Sequence, residues 1–205
     1  MPRPRFEKLA PEKRERILEA AAQEFATYGY AQASLNRILE TAGISKGAAY
    51  YYFDDKVDVY LTAVHYYGLT VLQAINLDVS VLTAANFWTA VTDLYQQQFT
   101  AFADRPWVLG LLKTSGPSAE ALAADGQLAA LMQAVGQLMA ALLQRGQALG
   151  AVRTDLPDEL LAAVVTAVDD AHDRWLFGRT TPLTMAELQS AAAQISDLLR
   201  RMLTP

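Results

Sequence analysis

From residue 11 to residue 202 the apolar positions recur at intervals of three and four, and no segment shows the period-two alternation or the Asn-Gly turn of a β-hairpin. That repeat puts an apolar stripe along each of a series of helices, so the expected fold class is all-α. With 205 residues, 52% of them hydrophobic and 19% charged, the chain can bury a sizeable core. The absence of cysteine excludes disulfides and thiolate metal ligands. The charged start, MPRPRFEKLAPEKRER, has no apolar signal segment, and no run of eighteen uninterrupted apolar residues follows. The expectation is a soluble, cytoplasmic protein with no membrane partner.

Punctuation divides the helices. Pro11 suits a first helical turn, Ile17, Ala21 and Phe25 share a stripe, and Gly29 supplies a left-handed stop. Ser34 caps a short second helix that buries Leu35, Ile38, Leu39 and Ala42 and ends at Gly43; Ser45 then caps a third. Two short helices joined by a tight, glycine-containing turn have the form of a helix-turn-helix. A longer helix through Tyr60, Val64 and Tyr67 follows Lys56 without a flexible linker. The expected organisation is an N-terminal three-helix domain, residues 1–56, joined by a continuous helix to a helical body, residues 57–205. Body helices are expected over 84–103, 106–113, 119–149, 157–177 and 184–203, between breaks such as GAVRTDLPD and GRTTPLT.

The net charge of −5 argues against nucleic acid as a partner only until its distribution is considered. Nine of the seventeen Lys and Arg lie in residues 1–56, leaving eight against fourteen Asp and Glu in the body, so the front domain is the part able to approach an anion. A helix entering the major groove needs small or flat side chains near its amino end. Lys46, Gly47 and Ala48 are cationic or small. Ala49 and Phe53, four apart, are expected to face the domain core; Tyr50 and Tyr51 then face a partner, and Tyr52 packs in part on the first helix. Tyrosine hydroxyls can donate to phosphate oxygen, and the rings can lie on sugar or a thymine methyl.

In the body, Phe87, Trp88, Val91, Tyr95, Phe99 and Phe102 lie along one helix. They form either plain core or, with Tyr66, Tyr67, Trp107, Met132 and Met139, the border of an apolar cavity for a largely hydrophobic small molecule. Asp169, His172 and Asp173 fall on one helix and serve that cavity, a polar patch in a dimer contact, or a metal ion in a helical-bundle enzyme. The enzyme reading lacks a second carboxylate and histidine set, since the other histidine is the isolated His65, and no phosphate loop or nucleophile elbow is present. Neither catalysis nor a cofactor is therefore expected. The last two helices both demand cover, along Leu161, Val165, Val168 and Trp175 on one and Leu188, Ile195, Leu199 and Met202 on the other. Ala163, Ala167 and Ala171 make the opposite side of the first of them apolar as well, so a four-helix bundle with the same pair of a second chain is expected.

The stretch SLNRILETAGISKGAAYYYFDDKVDVY resembles the DNA-binding signature of the TetR family of bacterial transcriptional regulators, and ILEAAAQEFATYGY resembles that family's first helix. The resemblance implies a homodimer that binds a palindromic operator on double-stranded DNA, usually to repress transcription, and lets go when a small effector fills the body. It makes Ser34 a phosphate contact, sets Asn36 and Arg37 close to the groove, and assigns Ser45, Lys46, Gly47, Ala48, Tyr50, Tyr51 and Tyr52 to the recognition helix. Lys56 falls where the family places a further phosphate contact. Ala48 departs from a frequent Ser or Thr, and Ala49 from a usual leucine. With one lysine on the recognition helix, phosphate contacts also depend on Arg3, Arg5 and the helix amino termini. A regulator that has lost its effector is the remaining alternative.

Overall fold

Pro11 and Gly43 do what the sequence asks of them. In the computed structural model, which describes residues 2–101, 103, 105, 107–113, 116–177 and 183–205, the helices are α1 Pro4–Glu7, α2 Pro11–Gln32, α3 Leu35–Ala42, α4 Lys46–Tyr52, α5 Lys56–Ala74, α6 Phe87–Ala101, α7 Trp107–Lys113, α8 Ala119–Ala124, α9 Gly126–Ala148, α10 Asp158–Phe177 and α11 Met185–Leu203. Among the described residues there is no strand, and the fold is all-α with an N-terminal helix-turn-helix. Phe102 lies outside the described residues, as does the side chain of Ala49.

Two compact units emerge, Met1–Thr70 with Trp107–Met132, and Val71–Pro106 with Gln133–Pro205. The boundary expected after Lys56 thus falls near the start of α5, and the first unit runs on to Thr70 and takes in α7 and α8. In that unit α2 is the central element. Its buried stripe of Ile17, Leu18, Ala21, Ala22 and Phe25 packs on α3 and α7. Gly110 permits the second of these approaches, because a Cβ there would stand 3.2 Å from that of Ala26. Gly29, at φ 71° and ψ 163°, breaks the helical path, yet a last turn continues to Gln32. Phe25, Tyr30 and Tyr60 form an aromatic cluster with centroids 5.1 to 6.0 Å apart. Burial pushes the Tyr60 hydroxyl up to about 12.

In the second unit, α11 lies along α6 and also packs on α10. Phe87, Tyr95, Phe99, Leu161, Val165, Leu188, Ile195 and Leu199 are buried together. The Thr184 side chain accepts the Glu187 N–H, and Glu187 accepts the Thr184 N–H in return, a full capping box at the start of α11. The single helix expected over 119–149 is instead α8 and α9, separated at Asp125, whose carboxylate accepts the Leu128 N–H at 2.8 Å and so caps α9. By length and composition α9 could cross a membrane, with a mean hydropathy of 1.4. Five glutamines and Arg145 interrupt it, and Leu128, Leu131 and Leu143 are buried in protein.

Candidate nucleic-acid interface

Ser34 stands in extended conformation and its hydroxyl accepts the Arg37 N–H, starting α3. Gly43, at φ 66° and ψ 37°, ends it; the Ile44 N–H returns to the Leu39 carbonyl at 2.9 Å. The Ser45 hydroxyl then accepts the Ala48 N–H at 3.3 Å and caps α4. These three caps fix a turn of three residues between the helices, and α4 projects Ser45, Lys46, Gly47, Tyr50 and Tyr51 outward. Tyr50 and Tyr51 are 59% and 56% exposed, far above what a buried helix would leave its largest aromatics. Asn36 is exposed on α3, Ser34 and Ala48 are half-buried, and Tyr52 packs edge-on against Phe6 at 6.3 Å.

Two expected DNA cations are held elsewhere. The Arg37 guanidinium donates to the Glu24 carboxylate and the Gln32 carbonyl, and it lies 4.5 Å from the centre of the Tyr28 ring. The Lys56 ammonium donates to the carbonyls of Tyr30, Ala31 and Ala33 at 2.8, 3.3 and 3.3 Å, with the Tyr30 ring 4.6 Å away. An ammonium has three protons, so this cage uses its whole donor capacity at the end of α2. The reason is local: the bend at Gly29 leaves carbonyls without helical partners, and a lysine at the start of α5 reaches them. The Lys56 ammonium is thus occupied within the protein, whereas the Arg37 side chain, though paired, stays 47% exposed.

Glu24 was not anticipated. Its Oε1 accepts both the Ser34 N–H at 2.7 Å and the Arg37 Nε–H at 2.9 Å, and so ties the start of α3 to α2. A carboxylate within the Ile17, Ala21 and Phe25 stripe was the available signal, because an acid among buried apolar residues requires partners. Burial works to raise its carboxyl, but the hydrogen bonds from Arg37 and Ser34 and the Arg37 charge outweigh it, holding Glu24 below its ordinary value of 4.5. A carboxyl with a depressed folded value stabilises the fold above its unfolded value, and that contribution is lost as pH falls through the folded value. Glu24→Gln should therefore melt several degrees below the wild type at pH 7, and the gap should close as the pH is taken below about 4. A gap independent of pH in parallel melts would contradict this.

The other expected sites are distributed as follows. Phe87, Trp88, Val91, Tyr95 and Met139 line an apolar cavity of ≈ 60 Å³ in the second unit, with Leu142, Leu143, Val165 and Leu199. Phe99, Asp169, His172 and Asp173 are outside its lining, and Tyr67, Trp107 and Met132 belong to the first unit, where Tyr67 is buried edge-on against Trp107 at 5.2 Å and Met132 is exposed. Asp169 accepts the Tyr95 hydroxyl at 2.6 Å; burial and then the Asp169 charge push that hydroxyl well above 10. His172 is buried, its ring stacked 6.0 Å from Phe99, and its Nδ1 is 3.8 Å from the Asp173 carboxylate. Among the described residues no three His, Asp or Glu side chains group to hold a metal ion.

The dimer residues also need revision. Leu161, Val165, Leu188, Ile195 and Leu199 are at most 4% exposed within the protomer, because α6 and α11 occupy that side. The outward apolar groove of ≈ 800 Å³ between α10 and α11 is lined instead by Val164, Ala167, Val168, Trp175, Leu198 and Met202. Of the eight expected residues, Val168, Trp175 and Met202 remain on it.

A family model described as bacterial regulatory proteins of the tetR family matches residues 17–63, which are α2 to α5 of this site. The transcriptional repressor AcnR of Corynebacterium diphtheriae is 43% identical over 49 residues, 24% of this chain and 26% of that protein. The transcriptional repressor BepR of Brucella suis is 45% identical over 51 residues, 25% and 24% of the two. The matched stretch thus spans about a quarter of each relative. The fold extends further: a TetR family transcriptional regulator from Chloroflexus aurantiacus superposes with a TM-score of 0.69 over 100% of this chain and 99% of that one, at 24% identity. FadR from Bacillus subtilis, solved in complex with stearoyl-CoA, superposes with a TM-score of 0.68 over 90% and 96% at 17% identity. Residues 17–63 thus carry the helix-turn-helix signature of the tetR family of bacterial regulatory proteins, and the fold of the chain is similar to that of solved regulators of that family.

Proposed function

We propose that the protein is a cytoplasmic transcriptional repressor that binds a palindromic operator as a homodimer and is released by a small, largely hydrophobic effector. The observation that carries the DNA reading is the display of Lys46, Tyr50 and Tyr51 on a short helix capped by Ser45 and set directly after α3, which Ser34 and Gly43 cap. A rigid, exposed helix end of this size fits the major groove, where Lys46 meets phosphate and the tyrosines meet sugar, phosphate or thymine methyls. The groove on α10 and α11 supports a second copy of this chain as the dimer partner, since a two-fold contact covers the same apolar surface on both. The small cavity beside Tyr95 supports an apolar effector, as does the stearoyl-CoA held by a neighbour of the same fold. At ≈ 60 Å³ it must expand to admit a ligand, given the ~300–1,000 Å³ of ordinary sites.

Selection of bound duplexes from a random pool should enrich a palindrome with half-sites about 34 to 36 Å apart, one helical turn. An unenriched pool would remove the DNA reading, and enrichment of single half-sites would remove the dimer.

A further inference from the structure

With Arg37 paired to Glu24 and Lys56 to three carbonyls, Lys46 is, among the described residues, the cation of α3 to α5 expected at the duplex that has no acidic or carbonyl partner, too little for a surface that must hold a polyanion. A second cation reaches the same face from α1, an element outside the matched signature. The Arg5 guanidinium lies over the exposed Tyr51 ring, 4.5 Å from its centre. Among the described residues it has no acidic partner, in contrast to Arg3, which pairs with Asp54.

Resting on the DNA reading above, we propose that Arg5 is a phosphate-binding residue of the duplex interface, held over Tyr51 so that the two act as one contact. The position of Arg5 is set from both sides. Before it, the Arg3 N–H donates to the Tyr52 carbonyl at 2.8 Å and the Arg3 side chain pairs with Asp54. After it, Phe6 is 1% exposed, with its ring 4.8 Å from Phe53 and 6.3 Å from Tyr52. A four-residue helix cannot persist alone in water, so this anchoring determines where α1 sits. Stacking uses the flat face of a guanidinium and leaves its N–H edge free, which is the geometry that binds a phosphate oxygen pair. Tyr51 gains as well: a ring that would otherwise sample several rotamers is held in one, lowering the ordering cost on contact.

The test is a salt titration of a selected operator duplex with wild type, Arg5→Ala, Arg5→Lys, Asp54→Ala and Lys46→Ala. Arg5→Ala should weaken binding roughly tenfold. It should also flatten the slope of log K against log salt by about 2, one phosphate from each protomer of a dimer. Arg5→Lys should restore the slope but not the full affinity, since an ammonium stacks and forks poorly. Asp54→Ala, which loosens the strap without touching the contact, should fall between wild type and Arg5→Ala. All should melt as the wild type does, Arg5 and Asp54 being exposed. Arg5→Ala with wild-type affinity and slope, beside a weakened Lys46→Ala, would overturn the proposal and leave the DNA reading standing. A weaker Arg5→Ala with unchanged slope and a lower melting temperature would also overturn it, by making Arg5 a structural residue. A wild type that binds no duplex would remove both.

Discussion

Replacing Trp175 and Leu198 together by glutamate is expected to yield a folded monomer that binds a palindromic operator at least about a hundredfold more weakly than the wild type. The expectation follows from where those side chains stand. Trp175 is 58% and Leu198 46% exposed in the protomer, so a charge at either costs its own fold little, whereas two pairs of carboxylates facing each other across a two-fold contact cannot be desolvated. Joining two half-site readers raises affinity by about 10² to 10⁴ through effective concentration alone, and a monomer forfeits it. Sedimentation and duplex titration on the same sample measure both quantities. An unchanged dimer would show that the α10 and α11 groove is not the contact. A monomer with full affinity would show that the reading helices do not act in pairs.

The helices were legible wherever a local rule decides them. Ser34, Gly43, Ser45 and the Thr184–Glu187 box mark starts and stops because capping depends on residues within four positions of each other. The exposure of Tyr50 and Tyr51 was legible for the same reason, since one face of so short a helix can be covered and Phe53 competes for it. Choices that depend on distant partners were not legible. Helix α10 carries two apolar sides, and periodicity cannot say which one faces the protomer core and which faces outward; the larger side chains Leu161 and Val165 went inward, and the alanines lie outward. Asp125 splits a helix that an alanine-rich run would continue, because its carboxylate caps α9 better than it sits in a helix interior. Docking of α1 depends on Phe6 finding Phe53, forty-seven positions away by sequence number, and no periodic pattern reports such a contact.

Lys56 poses the sharpest conflict between family resemblance and geometry, and a substitution separates the two. As a phosphate contact, its loss would leave the fold intact, weaken all duplexes alike and flatten the salt slope. As the cap of three carbonyls at the end of α2, its loss leaves those groups short of donors and removes the cation beside Tyr30, at a cost of about 1–3 kcal/mol in stability. The geometry favours the second outcome. Lys56→Met, which keeps much of the stem volume, is expected to lower the melting temperature while the slope of log affinity against log salt stays at its wild-type value. Any affinity loss would then come from α3 and α4, because the single residue Ala33 separates the end of α2 from the Ser34 cap that starts α3. Raising the temperature should therefore widen the affinity gap between Lys56→Met and wild type, whereas lowering the salt should not close it. A variant that melts like the wild type and loses slope would return Lys56 to the duplex, and with it the simpler picture in which family position alone assigns the contact.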